Sequence, residues 1–173
     1  MISMILACGI NGEIGDTSRP DGLPWSHNKE DMKFFKETTK GNVVVMGGNT
    51  FRQLQDIGFE NGLPDRENIV MTRDITLLDS EDSDVWFYPF EDVQQILIKA
   101  PKDYFDDEFF IIGGKLQYEQ LHPYCDRVYL TCISKTFPDA DVKISLDFLS
   151  KFVIVDTKVL NEYSHVEVWE RKK

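Results

Sequence analysis

Val43-Val44-Val45-Met46-Gly47-Gly48-Asn49-Thr50 carries the clearest architectural signal in the sequence. Four apolar residues run without polar alternation, the mark of a strand covered on both faces, and such strands belong to parallel sheets between helices. The strand then stops at a glycine pair and leads into a helix. Phe110-Ile111-Ile112-Gly113-Gly114-Lys115 repeats the arrangement later in the chain. A strand that ends in glycines lets the backbone approach a phosphate, and the following helix points its N-terminus at the anion. Neither run is a GxGxxG fingerprint or a P-loop, and glycine pairs also serve plain tight turns, so both uses remain open at this point.

Strands are predicted over Ile2–Ile10, Asn42–Met46, Asn68–Thr72, Val85–Tyr88, Phe109–Ile112, Arg127–Ile133, Phe152–Lys158 and His165–Glu170. Helices are predicted over Asn28–Lys40, Glu91–Lys99 and Lys115–Leu121, with a short helical turn from Asn49 to Gln55. Strand and helix alternate as far as Leu130, which predicts an α/β, doubly wound fold. Its sheet is mostly parallel and eight-stranded, with flanking helices and a C-terminal antiparallel hairpin turning at Asn161-Glu162-Tyr163-Ser164. The acidic runs Asp79–Asp84 and Asp103–Glu108 read as solvated loops. There is no repeat or low-complexity tract, so residues 1–173 are expected to form one domain.

Composition narrows the function. A formal charge of −11 argues against a nucleic-acid surface, which needs clustered Lys and Arg to displace counterions. Anionic ligands would have to be captured by local basic groups and helix N-termini. The apolar start Met1–Ile10 is too short to span a bilayer and lacks a basic flank, so it reads as a buried strand. Cys8, Cys125 and Cys132 are an odd set without CxxC spacing, expected as free thiols in a reducing compartment. His27, His122 and His165 are scattered, and no metal site is expected.

The chemistry centres on Pro24-Trp25-Ser26-His27-Asn28-Lys29-Glu30-Asp31-Met32-Lys33-Phe34-Phe35-Lys36. In a helix from Asn28, Asp31, Phe35 and Thr38 share one face. Asp31 could simply belong to a capping arrangement with Asn28 at the positive end of the helix dipole. Alternatively it faces an apolar pocket, where desolvation raises its pKa and lets it hold or relay a proton.

In order along the chain, Met1-Ile2-Ser3…Ala7, Ile14-Gly15, Leu23-Pro24-Trp25, Asp31…Phe35-Lys36…Thr39 and Met46-Gly47-Gly48-Asn49-Thr50-Phe51 come first. Leu63-Pro64-Asp65-Arg66-Glu67-Asn68-Ile69, Ile112-Gly113-Gly114…Tyr118 and Tyr129-Leu130-Thr131 follow. In these motifs the sequence resembles the dihydrofolate reductase family across nearly its whole length. The resemblance implies hydride transfer from NADPH to 7,8-dihydrofolate, giving tetrahydrofolate for one-carbon and thymidylate metabolism. It also implies antifolates as ligands and a cofactor adenosine-binding subdomain over roughly residues 42–124, with the substrate subdomain formed by the rest; a cytoplasmic monomer is expected because no long exposed apolar stretch asks for a partner.

By that resemblance Asp31 holds the pteridine and assists its protonation, Thr131 supports Asp31, and Trp25 closes the loop over the site. Ile5, Ala7 and Ile112 meet the pteridine, while Met32, Phe35, Lys36 and Leu63 line the aminobenzoyl group. Arg66 clamps the glutamate α-carboxylate, a contact suited to its planar fork. Ala7, Ile14, Gly15 and Ile112 approach the nicotinamide. Gly47, Gly48, Asn49, Thr50, Gly113, Gly114, Lys115, Leu116 and Tyr118 cradle the cofactor, with Thr72 and Arg73 near its 2′-phosphate. The family places a cis peptide between the paired glycines at Gly113-Gly114.

Two departures stand out. Gly48 and Asn49 occupy positions where the family usually carries basic residues, so Arg73 and Arg52 must supply the missing charge. The loop Asp16–Gly22 is longer than in compact bacterial members. Rival readings are a reductase of riboflavin biosynthesis, disfavoured by Asp31 and Arg66, and a nucleotide-binding protein without turnover, disfavoured by Asp31, Thr131 and Trp25 together.

Overall fold

The structure is a computed structural model that describes residues 1–74, 76, 85–103 and 108–173. The acidic run Asp79–Asp84 and residues 104–107 of the second acidic run lie outside the described residues.

Strand β1 (Ile2–Cys8) is buried almost throughout and sits inside the main sheet. It pairs in parallel with β6 (Phe109–Gly113) on one side and with β7 (Arg127–Ile133) on the other. Beyond β6 lie β3 (Val43–Gly47), β4 (Glu67–Met71) and β5 (Val85–Tyr88), all parallel. Beyond β7 lie β10 (Ser164–Arg171) and then β9 (Phe152–Asn161), joined as the expected antiparallel hairpin. The eight-stranded order is therefore β5-β4-β3-β6-β1-β7-β10-β9.

Because successive side chains of a strand point to opposite faces, β3 feeds two cores. Val44 and Met46 pack with Ile5, Phe51 and Phe110 beneath α1 (Lys29–Thr39) and α2 (Gly48–Asp56). Val43 and Val45 pack with Met4, Leu6 and Ile111 against Val93 and Leu97 of α3 (Phe90–Asp103) and Leu121 of α4 (Lys115–Leu121). Phe110 is 1% exposed, and deleting such a ring typically costs about 3–5 kcal/mol.

Several elements differ from expectation. The turn predicted from Asn49 to Gln55 is a full helix that begins at Gly48, and α3 runs past Lys99 to Asp103. A small second sheet pairs β2 (Glu13–Gly15) with β8 (Val142–Lys143), both too short to show periodicity. That sheet fastens the longer loop to the segment after β7. The buried Glu13 carboxylate accepts from the backbone N–H of Asn11 at 2.8 Å and of Phe137 at 3.3 Å. Its pKa lies below the usual range because these bonds to the ionised form outweigh the opposing effect of burial. Thr17 donates to Asp141 from its backbone N–H at 2.9 Å and also from its hydroxyl. Trp25 is buried edge-on to Phe137, with centroids 5.6 Å apart.

Candidate active site

A cleft of about 1310 Å³ opens beyond the C-terminal ends of β1, β3 and β6, where open α/β sheets bind ligands. One wall is α1. Asn28, 2% exposed, caps this helix by accepting the Asp31 N–H at 3.3 Å. Asn28 in turn donates to Ser164 Oγ at 3.2 Å and accepts from Asn161 Nδ2 at 3.0 Å, so the helix start is tied to the β9–β10 hairpin. The cap uses the backbone of Asp31 and leaves its carboxylate free to face the cleft.

That carboxylate meets one hydroxyl: Thr131 Oγ1 donates to Asp31 Oδ1 at 2.7 Å. Burial pushes the Asp31 pKa up, and the Thr131 bond, which favours the ionised form, opposes only part of the shift. A carboxyl held this way can carry a proton at higher pH than an exposed aspartate. Glu30, one residue earlier, is exposed and accepts from Asn161 Nδ2 at 3.1 Å outside the cleft.

Around this pair the cleft gathers Ile5, Ala7, Ile14, Gly15, Trp25, Met32, Phe35, Leu63 and Ile112. The same space continues to Gly47, Gly48, Asn49, Thr50, Thr72 and Arg73, and to Gly113, Gly114, Lys115, Leu116 and Tyr118. Two expected residues lie outside its wall. Arg66 lines an adjoining hollow of about 620 Å³ that shares Leu63 with the cleft. Its Nε donates to Thr39 Oγ1 at 2.8 Å and its Nη2 to the Lys36 carbonyl at 2.9 Å, while Nη1 donates to the Pro64 carbonyl. These bonds fix the plane of the guanidinium. Lys36 supplies that carbonyl, and its exposed side chain is not part of the cleft wall.

The far end of the cleft suits an extended anionic cofactor. Gly47 caps α2 without any side-chain bond, so no side chain competes for the first-turn N–H groups. Gly113 has φ +125° and is joined to Gly114 by a cis peptide. A Cβ on Gly113 would meet Tyr118 Oη at 3.1 Å, and one on Gly114 would meet Thr50 Oγ1 at 3.4 Å, so the bare backbone forms the floor. Gln117 Oε1 accepts the Gly114 N–H at 3.0 Å and braces that turn. Tyr118 Oη donates to the Ile5 carbonyl at 3.1 Å, linking α4 to β1. Arg73 is exposed at the rim, and Arg52 donates to the Asn49 side chain.

Sequence reasoning missed other wall residues, among them Leu54 and Ile57 of the α2 end and Gln117. The helical spacing of Phe51, Leu54 and the apolar Ile57 was the available signal for the first two. Nothing local marks Gln117, whose role depends on the shape of the Gly114 turn.

A family model described as dihydrofolate reductase matches residues 1–167. The dihydrofolate reductase of Ureaplasma parvum is 30% identical over 169 residues, covering 95% of this chain and 97% of that protein. The Bacillus subtilis dihydrofolate reductase is 37% identical over 142 residues, 79% of this chain and 71% of the relative. Among solved structures, dihydrofolate reductase from Enterococcus faecalis complexed with NADP(H) and RAB-propyl superimposes with a TM-score of 0.79 at 31% identity. That comparison covers 100% of this chain and 97% of the other. The family match takes in both glycine turns, the acid-bearing helix and the Thr131 strand, and the chain belongs to the dihydrofolate reductase family.

Proposed function

We propose that the protein reduces 7,8-dihydrofolate to 5,6,7,8-tetrahydrofolate with NADPH and so feeds one-carbon and thymidylate metabolism. The observation that carries this is the half-buried Asp31 carboxyl, held by Thr131 on the wall of a cleft that continues into two glycine turns. NADPH, when bound, supplies the hydride. The chain's own residues do the rest.

Asp31 holds the amino and ring nitrogens of the pteridine and assists delivery of the proton, a role its raised pKa supports. Thr131 fixes which carboxylate oxygen faces the substrate. Ile5, Ala7 and Ile112 border the pteridine, and Met32, Phe35 and Leu63 flank the aminobenzoyl group. Lys36 holds Arg66 through its carbonyl, and Arg66 takes the glutamate α-carboxylate with its preset fork. Trp25 shields the reacting end from water, with Ile14 and Gly15 beside it. Gly47, Gly48, Asn49, Thr50, Thr72, Arg73, Gly113, Gly114, Lys115, Leu116 and Tyr118 would hold the cofactor, with the exposed Arg73 at the 2′-phosphate end.

In this reading residues 42–124 carry the cofactor side and the remainder the substrate side. The protein acts as a cytoplasmic monomer, a placement supported by three cysteines that are all free thiols. No helix among the described residues is long and apolar enough to cross a membrane. An antifolate would occupy the Asp31 end of the same cleft.

The test is NADPH oxidation, followed by nicotinamide absorbance, with and without 7,8-dihydrofolate. Oxidation that depends on dihydrofolate is expected. A folded sample that binds NADPH and leaves dihydrofolate unchanged would overturn the reading.

A further inference from the structure

Strand β10 lies antiparallel to β7 with His165 directly opposite Cys132. Neighbours across such a pair share one face of the sheet, as do residues two apart on one strand. Cys132, His165 and Glu167 are thereby brought into one patch, and one donor atom from each lies within 4.8 Å of the other two. It is the one such group among the described residues. None of the three lines the cleft, because Thr131 and Cys132 are consecutive on β7 and point to opposite faces.

We propose that Cys132, His165 and Glu167 form a binding site for a divalent transition metal of the zinc class, held by thiolate, imidazole and carboxylate with solvent completing the tetrahedron.

The donor set selects the metal. A thiol and an imidazole beside a single carboxylate favour zinc or cobalt over magnesium or calcium, which need a shell of oxygens. The spacing is close to what the ion requires. Tetrahedral bonds of about 2.0–2.3 Å place donors about 3.3–3.8 Å apart. His165 Nε2 and Glu167 Oε1 are already 3.4 Å apart, and the Cys132 thiol lies within 4.8 Å of a donor atom of each. The outer shell is present as well. Trp169 Nε1 donates to Glu167 Oε2 at 3.0 Å, which orients the carboxylate and leaves Oε1 turned toward His165. Access is open: the side chains of His165 and Glu167 are 35% and 22% exposed. The histidines and cysteines are scattered in the sequence, and only the strand register collects these three.

A metal here would tie β7 to β10 directly behind Thr131. Its binding should therefore be visible as stability and as spectrum, independently of turnover. Chelator-treated, tag-free full-length protein is titrated with Zn²⁺ against a metallochromic competitor, and separately with Co²⁺. One equivalent of Zn²⁺ is expected, with a higher thermal midpoint and a sulfur-to-cobalt charge-transfer band. Cys132→Ser should abolish the band and weaken Zn²⁺ at least tenfold. His165→Gln and Glu167→Gln should weaken Zn²⁺ comparably while keeping NADPH binding as the sign of an intact fold. If Cys132→Ser does not fold, the partly exposed His165 carries the same comparison. Failure of the parent chain to bind Zn²⁺, a cobalt spectrum without the thiolate band, or unchanged affinity in the variants would each overturn the proposal.

Discussion

Thr131 Oγ1 donates to Asp31 Oδ1 at 2.7 Å, joining a β7 residue to an α1 residue 100 positions earlier in the chain. This bond selects between the two adjacent acids of α1. Glu30 points away to Asn161, so only Asp31 combines burial, a hydroxyl partner and the cleft. Asp31→Asn should lower kcat near neutral pH by about 10²–10⁴-fold, the usual worth of a positioned proton donor. Glu30→Gln should leave it within a few-fold. Steady-state rates of the two variants decide the assignment, and similar losses in both would defeat it.

The same bond sets the pH profile. Because Thr131 donates to the carboxylate, it favours ionisation and restrains the rise in pKa that burial imposes. Thr131→Val removes the donor at nearly constant volume. The Asp31 pKa then moves further up, so the limb of kcat/KM that falls with rising pH should shift to higher pH. A profile that stays in place would show that the hydroxyl does not reach the titrating group.

Stability should respond to Asp31 with the opposite sign from activity. A carboxyl whose native pKa is raised contributes stability while protonated, and loses it as pH climbs through the native value. Asp31→Asn keeps the shape and removes the buried charge. Its thermal midpoint should exceed that of the parent at about pH 8, and the gap should close as the pH falls toward about 4. Thermal melts across that range measure it.

Arg66 is pre-aimed by Thr39, Lys36 and Pro64, so its cost of ordering is met before any ligand arrives. Arg66→Ala should raise KM for dihydrofolate by about 10–100-fold, the worth of a charge-assisted bidentate contact, with little change in kcat. Arg66→Lys should recover only part, since a point charge cannot reproduce the fork. A pteridine substrate without the glutamate tail should be insensitive to either change.

Cofactor preference rests on few cations. A Cβ on Gly48 has Met71 O as its nearest neighbour at 3.9 Å, so the first carbon of a side chain meets nothing closer than ordinary contact there. Gly48→Arg should tighten NADPH by about tenfold, one added charge-assisted phosphate contact. Arg73→Gln should loosen NADPH and leave NADH nearly unchanged. Gly47 is the contrast: a Cβ there would collide with Gln117 Oε1, the acceptor of the Gly114 N–H. Gly47→Ala should therefore weaken both cofactors. Binding titrations with NADPH and NADH distinguish the three.

The main sheet was legible because its strands are long apolar runs punctuated by glycines and acidic loops, and β5, β7 and α4 appear with the predicted ends. The β2–β8 sheet was not legible, since three residues facing two carry no period. Asp31 was readable as a residue of chemical interest from its i+4 partner Phe35, and its Thr131 partner was expected only through the family resemblance, because nothing local reveals that β7 lies beside β1. Two of the three Arg66 anchors are backbone carbonyls, to which sequence is blind. Cys132, His165 and Glu167 were invisible for a further reason, that β-register, not spacing, puts them together.

The strand order also governs how the chain comes to be folded during its synthesis. β1 is made first, yet its partners are β6 and β7, and Ile2 waits for Phe109 and Ala7 for Thr131. The β3 and β6 ends that carry the two glycine turns are likewise remote in sequence, meeting where Met46 pairs with Gly113. Pairings of such long range close slowly because loop-closure entropy comes before any contact is gained. Strand β1 therefore stays without its sheet partners until β6 and β7 have been made, and over that interval it is an apolar edge open to the mispairing that such edges invite.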